Sequence, residues 1–338
     1  MKILFVASTM VHIKNFHLPY IEEFKNQGHT VLTLASGNEA DFNIPFKKKT
    51  LSLKNLMLAS KIKGIIKREA FDVIYLHTTL AAFYVRLALK GMKNRPYVIN
   101  TVHGYLFSRN ESGLKKRIYL KCEKILRKQT DDIVVMNEED MLIARENNLC
   151  LNKTYKINGM GFSPRFTNEE VATKNSKSLT FVGEISKRKN QEFLVRALPY
   201  LPNATLTLVG DGEIRHRIEA LAKNLGVENR VNITGFTKNV ASYLASTDIY
   251  VSASTIEGLP FNILEAMAQG LPIVASSIKG HVDLLPQNSL YTPNNLDEFI
   301  RKVNEAPLAK QKYDIDKYML KEALASNMEI YLSFKKGE

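Results

Sequence analysis

The sequence predicts an α/β chain of two halves, each an open parallel sheet with helices on both faces. Three observations predict it. The chain has 338 residues, 45% of them hydrophobic, which exceeds one ordinary core and fits two domains of ~150 residues each. Short apolar runs alternate with segments of helical spacing, the rhythm of parallel strands joined by crossover helices. That rhythm stops over a polar stretch at residues 162–178 and then restarts.

In chain order, the apolar run Lys2–Ala7 reads as a buried parallel strand. Phe16–Gln27 has helical spacing and ends at Gly28, a natural C-cap. Thr30–Ala35, Asp72–Leu76, Tyr97–Val102 and Ile133–Met136 read as further strands. The stretch Phe-Ser-Pro-Arg-Phe-Thr-Asn-Glu-Glu that opens residues 162–178 is short of core residues, so the predicted domains are 1–165 and 166–320. Leu179–Val182, Thr205–Val209, Val231–Thr234, Ile249–Val251 and Ile273–Ala275 continue the strands of the second half. The tail from Pro307 to Phe334 reads as helical, and residues 320–338 are expected to pack back onto the first domain. In such a chain a ligand is expected in the cleft where the carboxyl ends of two sheets face each other.

Composition narrows the class. Cys122 and Cys150 are the two cysteines; neither has a metal-ligand spacing, and they point to a reducing compartment. Met1–Ala7 is too short an apolar run for a signal peptide, and no run approaches the ~20 apolar residues of a membrane span. A cytoplasmic protein, not integral to a membrane, is the expectation. Net charge is +13, and residues 1–165 carry all of it: 27 Lys and Arg against 14 Asp and Glu, while residues 166–338 carry 20 of each. A one-sided positive field attracts nucleic acid, an acidic membrane surface or a phosphorylated substrate; solubility alone is the plainer reading. The aromatic interleaving of a single-strand platform and a helix-turn-helix are both missing from the sequence, which argues against nucleic acid.

The strongest constellation is Glu257-Gly258-Leu259-Pro260-Phe261-Asn262-Ile263-Leu264-Glu265. It follows a strand, and Pro260 suits the first residue of a helix. Gly258 permits a tight turn and close approach of a ligand, and a helix start is an anion site. Two carboxylates around such a site suit a ligand with sugars flanking phosphates. A helix merely capped by acids near its positive end is equally consistent with these residues.

That segment looks like the E-x7-E signature of retaining GT-B glycosyltransferases. More narrowly, the chain resembles the bacterial capsular and exopolysaccharide branch, of glycosyltransferase family 4-like type. The markers are Leu-Phe-Val-Ala near the start, Thr-Val-His-Gly at 101–104, Phe-Val-Gly-Glu-Ile-Ser-Lys-Arg-Lys-Asn at 181–190, Val-Gly-Asp-Gly-Glu at 209–213 and Thr-Gly-Phe at 234–236. The resemblance implies a GT-B fold of two Rossmann-like domains, the first binding acceptor and the second a nucleotide-sugar. It implies that Glu265 binds ribose hydroxyls, that Glu257 contacts the donor sugar, and that the amides of Leu259, Pro260's neighbour Phe261, and Asn262 reach sugar or diphosphate. Lys189 matches the lysine that neutralises the diphosphate, where charge grows in the transition state; as a bare residue it reads as a solvated member of a basic run. Gly183, Gly210, Gly212, Gly235 and Phe236 would line the nucleotide. His103 would touch the donor sugar near the reacting carbon, and His12, Asn15 and His17 are candidates for acceptor contact. Glu184 departs from the pattern, standing where many relatives carry arginine; a carboxylate cannot neutralise a diphosphate, so Arg188 is a candidate second cation.

The implied activity is transfer of a hexosyl or N-acetylhexosaminyl group, with UDP preferred on family frequency, to a lipid-linked or glycan acceptor. No cofactor or metal requirement is expected. A sugar-nucleotide epimerase of the same fold and a nucleic-acid-binding protein are the competing readings. The segment Gly113–Gln129 places Leu114, Ile118, Cys122, Ile125 and Leu126 on one helical face amid seven Lys and Arg, the pattern of an interfacial helix drawn to anionic lipid. Residues 54–68 share that character. Either stripe could instead cover the domain's own sheet.

Overall fold

The computed structural model describes residues 1–47, 53–166 and 177–333, with the side chains of Leu53 and Lys54 left out. Most of the polar stretch read as the domain boundary, and Lys54 of the second basic segment, lie outside the described residues. The chain divides into two compact units, Met1–Gly161 with Leu320–Glu338, and Phe162–Met319.

The first unit contains β1 (Lys2–Thr9), α1 (Met10–Phe16), α2 (Leu18–Asn26), β2 (Thr30–Ser36), β3 (Phe42–Asn43), α3 (Leu53–Glu69), β4 (Val73–Leu76), α4 (Thr79–Leu89), β5 (Tyr97–Val102), α5 (Leu114–Leu126), β6 (Asp132–Val135), α6 (Glu138–Glu146) and β7 (Thr154–Lys156). The strands pair in parallel in the order β3-β2-β1-β4-β5-β6-β7. β4 and β6 are buried along their whole length and β1 and β5 over most of theirs, as strands covered on both faces must be.

The second unit contains β8 (Lys177–Val182), α7 (Gln191–Ala197), β9 (Ala204–Val209), α8 (Arg215–Asn224), β10 (Val231–Gly235), α9 (Val240–Ala245), β11 (Ile249–Ser252), α10 (Phe261–Ala268), β12 (Ile273–Ser276), β13 (Leu290–Tyr291) and α11 (Leu296–Glu305). Its parallel order is β10-β9-β8-β11-β12-β13. In each sheet the direction of winding reverses once, between β1 and β4 and between β8 and β11. Such a reversal opens a crevice at the carboxyl ends of the two strands, where doubly wound folds bind ligands.

A last helix, α12 (Leu320–Leu332), belongs to the first unit. Asn327 donates to the Tyr20 hydroxyl and to Gly159 O, both at 2.8 Å, and the Tyr75 hydroxyl donates to Tyr331 O at 2.7 Å. Gly161 packs so closely that a Cβ there would lie 2.7 Å from Leu320 Cα.

Three local expectations change. Helix starts earlier than the expected Phe16, with α1 opening at Met10, because Thr9 caps it by accepting the His12 amide at 3.3 Å. The tail is helical only at Asp316–Tyr318 and from Leu320. Residues 307–315 form a strap instead, with the Gln311 amide on Gly270 O at 2.8 Å and the Tyr313 hydroxyl on Leu271 O at 2.9 Å. The edge strands β3, β7 and β13 are two or three residues long, too short to leave a period in the sequence.

Candidate active site

The crevice of the second unit lies between the loops after β8 and β11. The loop after β8 runs Gly183–Asn190 into α7. It lies against the loop after β9: the ladder continues past the strands, with Gly183 N on Val209 O and Ile185 N on Asp211 O, both 2.9 Å. Backbone meets backbone so closely that a Cβ on Gly210 would stand 2.0 Å from Gly183 O, and one on Gly212 would stand 2.1 Å from Ile185 O. These glycines are there because nothing larger fits.

This loop delivers two cations to one carboxylate. Lys189 Nζ donates to Glu257 Oε1 at 2.5 Å, and Arg188 Nη1 donates to Glu257 Oε2 at 2.9 Å and to Ile256 O at 3.1 Å. Lys189 is 8% exposed, so it is no solvated member of a basic run. Burial opposes the charge on Glu257, but Lys189 and Arg188 outweigh it and hold the carboxyl below the usual glutamate range. Burial also draws the Lys189 ammonium below the ordinary lysine value, against the pull of Glu257. Glu257 thus faces two cations, a buried Lys189 that also feels Glu184 and a partly exposed Arg188, and an incoming anion would find both close together.

Helix α10 opens beside this cluster. Pro260 is its N-cap, one position earlier than the first-helical-residue role expected of it. The Asn262 side chain donates to Val182 O at 2.9 Å and to the Tyr250 hydroxyl at 2.8 Å, which ties the helix start to the ends of β8 and β11. One turn on, Glu265 is partly buried, its carboxylate makes no hydrogen bond among the described residues, and burial raises its pKa against the pull of Arg165. Behind them, the loop after β12 brings Gly280 against Gly258: a Cβ on Gly280 would lie 2.6 Å from Gly258 O.

Two family models match the chain, Glycosyl transferase 4-like over residues 2–137 and Glycosyl transferases group 1 over residues 163–318. The chain belongs to the GT-B glycosyltransferases. It is 29% identical over 307 residues to EpsD of Bacillus subtilis (strain 168), described as a glycosyltransferase, covering 84% of this chain and 81% of that one. It is 25% identical over 289 residues to the UDP-Gal:alpha-D-GlcNAc-diphosphoundecaprenol alpha-1,3-galactosyltransferase of Escherichia coli, covering 78% and 71%. The crystal structure of a glycosyltransferase from Rickettsia africae superposes with a TM-score of 0.74 at 21% identity, over 100% and 99% of the two chains.

In this glycosyltransferase the residues anticipated from sequence fall into two groups. Gly183, Lys189, Gly210, Gly212, Glu257, Leu259, Pro260, Phe261, Asn262 and Glu265 gather around the crevice of the second unit. Gly235 ends β10 and Phe236 follows it, with Phe236 84% exposed. Glu184 is exposed, accepts a hydrogen bond from Gln191 through its backbone oxygen at 2.8 Å, and its carboxylate favours the charged form of nearby Lys189. His281 was missed. Its Nδ1 donates to Ser276 O at 2.7 Å, Nε2 has no partner, and burial pushes its pKa down to about 4. The signal was available: Gly280-His281 closely follows a strand end, as His103-Gly104 does.

The first-unit candidates form a histidine cluster at the other reversal point. His12 and His103 meet edge to face with ring centroids 5.0 Å apart, and His17 stacks on His77 at 3.7 Å. Burial lowers His12 to about 4 and His103 to about 3, so both are neutral at pH 7. His17 is fully buried beneath them, so direct acceptor contact, expected of it from sequence, is closed to it. Asn15 lies on α1 and is exposed.

Helix α5 also departs from expectation. Its inward face holds Tyr119, Leu120, Glu123 and Leu126, because the fully buried Arg86 binds Glu123 through two hydrogen bonds of 2.7 and 2.9 Å. Of the predicted stripe, Leu114, Ile118 and Ile125 are 70%, 48% and 51% exposed while Leu126 is buried, so only part of it packs inward. On α3 the reverse holds: Ile62, Ile65 and Ile66 are core, while Leu56 and Met57 face outward. No helix among the described residues is long and apolar enough to cross a membrane.

Proposed function

We propose that this enzyme is a retaining glycosyltransferase that moves a sugar from a UDP-sugar to a lipid-linked or oligosaccharide acceptor in the synthesis of a surface polysaccharide. The observation that carries the reading is the excess cation at Glu257. Lys189 and Arg188 receive the diphosphate, Glu257 holds them in place and offers its remaining lone pairs to the donor sugar, and Glu265 takes the ribose hydroxyls. The exposed Phe236 ring and Gly235 flank the base, while Gly210 and Gly212 let the nucleotide approach the backbone. Arg188 replaces the arginine that Glu184 displaces. The bond from the anomeric carbon to the diphosphate breaks, the acceptor oxygen bonds to the same face of that carbon, and the acceptor proton passes to the leaving phosphate. In the transition state, before that proton arrives, negative charge grows on the leaving diphosphate, and the two cations stabilise it. Neutral His103 and His12 serve as hydrogen-bond partners for sugar hydroxyls rather than as strong bases. The relative named for UDP-Gal and a diphosphoundecaprenol acceptor supports both the nucleotide and the lipid-linked class.

The test is a sugar-nucleotide screen by thermal shift followed by transfer to a polyprenyl-diphosphate-linked sugar, with the anomeric configuration of the product read by NMR. UDP-sugars should stabilise the fold, the product should keep the donor's configuration, and leaving out Mg2+ and Mn2+ should not slow transfer. Inversion would overturn the mechanism, and conversion of the donor without acceptor would favour an epimerase.

We also propose that α5 docks on the anionic inner face of the cell membrane. Leu114, Ile118 and Ile125 enter the headgroup region while Lys115, Arg117, Lys121, Lys124 and Lys128 meet lipid phosphate, at about 1 kcal/mol for each basic residue near the surface. Replacing the three apolar residues by Asp should abolish sedimentation with phosphatidylglycerol vesicles and leave transfer to a soluble acceptor unchanged. Equal salt-dependent binding of wild type and variant to duplex DNA, with no vesicle binding by either, would sink this assignment.

A further inference from the structure

We propose that His12, His17 and His103 bind a divalent transition-metal ion of the zinc class. One ring nitrogen from each lies within 4.8 Å of the other two. Imidazole nitrogens around zinc sit at about 2.0–2.1 Å from the ion, so closing the triad asks for side-chain shifts on the order of an ångström, within the reach of two half-buried rings at the start of α1 and the end of β5.

The second observation is an unmet need. His12 Nε2, His103 Nε2 and both ring nitrogens of the fully buried His17 have no hydrogen-bond partner. A buried polar group left so is costly, and the three rings that carry these atoms meet at one place. A metal ion accepts three nitrogen lone pairs at once, one from each ring. The donor set then decides the ion. Imidazoles without carboxylates select zinc, nickel, cobalt or copper over magnesium or calcium, and three protein ligands leave one position open.

The surroundings hold the triad in shape. His17 sits at the junction of α1 and α2, its ring stacked on His77, which in turn stacks on Phe5 with centroids 5.2 Å apart and planes 16° apart. Thr9 fixes the first turn of α1 and with it His12. An ion here would pin that helix to the loop after β5. The transfer step proposed above does not pass through it; the ion would engage the same His12 and His103 rings offered there to sugar hydroxyls, so only the diphosphate site of Lys189, Arg188 and Glu257 stands or falls separately from it.

The experiment uses the untagged full chain, stripped with chelator and titrated calorimetrically with Zn2+, and with Co2+ followed by its visible absorption. One equivalent should bind and should survive millimolar Mg2+. His12→Gln and His103→Gln should each weaken Zn2+ binding by roughly tenfold or more, and the double variant should abolish it, with circular dichroism confirming the fold. His29→Ala and His216→Ala, outside the cluster, should bind as wild type does. Absence of saturable Zn2+ binding at micromolar concentration, retention of binding in a folded His12→Gln/His103→Gln protein, or an equal loss in His216→Ala would overturn the proposal.

Discussion

Each unit buries a group of charges, and the two groups differ in one respect. In the first unit Arg86 meets Glu123 one to one, with further bonds to Thr130 Oγ1 at 3.3 Å and Ala82 O at 3.1 Å. In the second, Glu257 meets two cations. Both arrangements remove charge from water, which is expensive. The balanced pair is complete without a ligand and ties α4 to α5. The unbalanced trio is complete only when an anion arrives. Burial alone does not mark the proposed donor site, since Arg86 is the more deeply buried.

The comparison breaks most visibly if the balanced pair is split. Arg86→Met strands Glu123 in the core and should cost about 3–5 kcal/mol of stability, read as a lower midpoint in urea unfolding. Arg86→Met with Glu123→Met should recover most of it. If the single variant unfolds at the wild-type midpoint, the pair is not structural. In the second unit the loss should fall on catalysis instead. Lys189→Met leaves Glu257 with Arg188, and kcat should drop roughly hundredfold to thousandfold, the range for losing one charge-stabilising donor, while stability changes little. An equal kcat would remove Lys189 from the diphosphate site.

How much of this was legible follows the same division. The strands that carry the crevice announced themselves as apolar runs, and the glutamate segment stood out because its spacing is local. What the sequence hid is pairing over distance. The stripe on α5 turned outward because Arg86, some 37 positions earlier, requires Glu123 inside, and no pattern within the helix records that demand. Likewise the partner that holds Glu257 at both oxygens is 68–69 positions away, and His17 was read as accessible because nothing local shows His77 stacked on it. Short edge strands and the strap at 307–315 were missed because two or three residues carry no period.

A smaller effect sharpens the role of Arg188. It is more exposed than Lys189, so screening reduces its share. Arg188→Ala should raise the donor KM about tenfold with a lesser change in kcat. Glu184→Arg in that background should restore part of the loss, since it returns a cation to the position where related sequences carry one. Failure of the rescue with a folded protein would show that the two positions do not serve the same phosphate.

The smallest effect concerns Glu265, and its sign can be worked out. Burial raises its pKa above the ordinary glutamate value. Ribose hydroxyls donate to the ionised carboxylate, so UDP binds best above that raised pKa and its affinity falls as pH drops through it. Binding therefore takes up the ionised form and releases a proton in that window. UDP titrates as well, which confounds wild type alone, so the measurement is the ratio of UDP dissociation constants for Glu265→Gln and wild type across pH 4.5 to 7.5. The ratio should be largest at neutral pH and shrink by a few-fold toward the acid end as the wild-type carboxyl gains its proton. A ratio independent of pH would mean that Glu265 keeps one protonation state in the complex and that the contact to ribose does not depend on its charge.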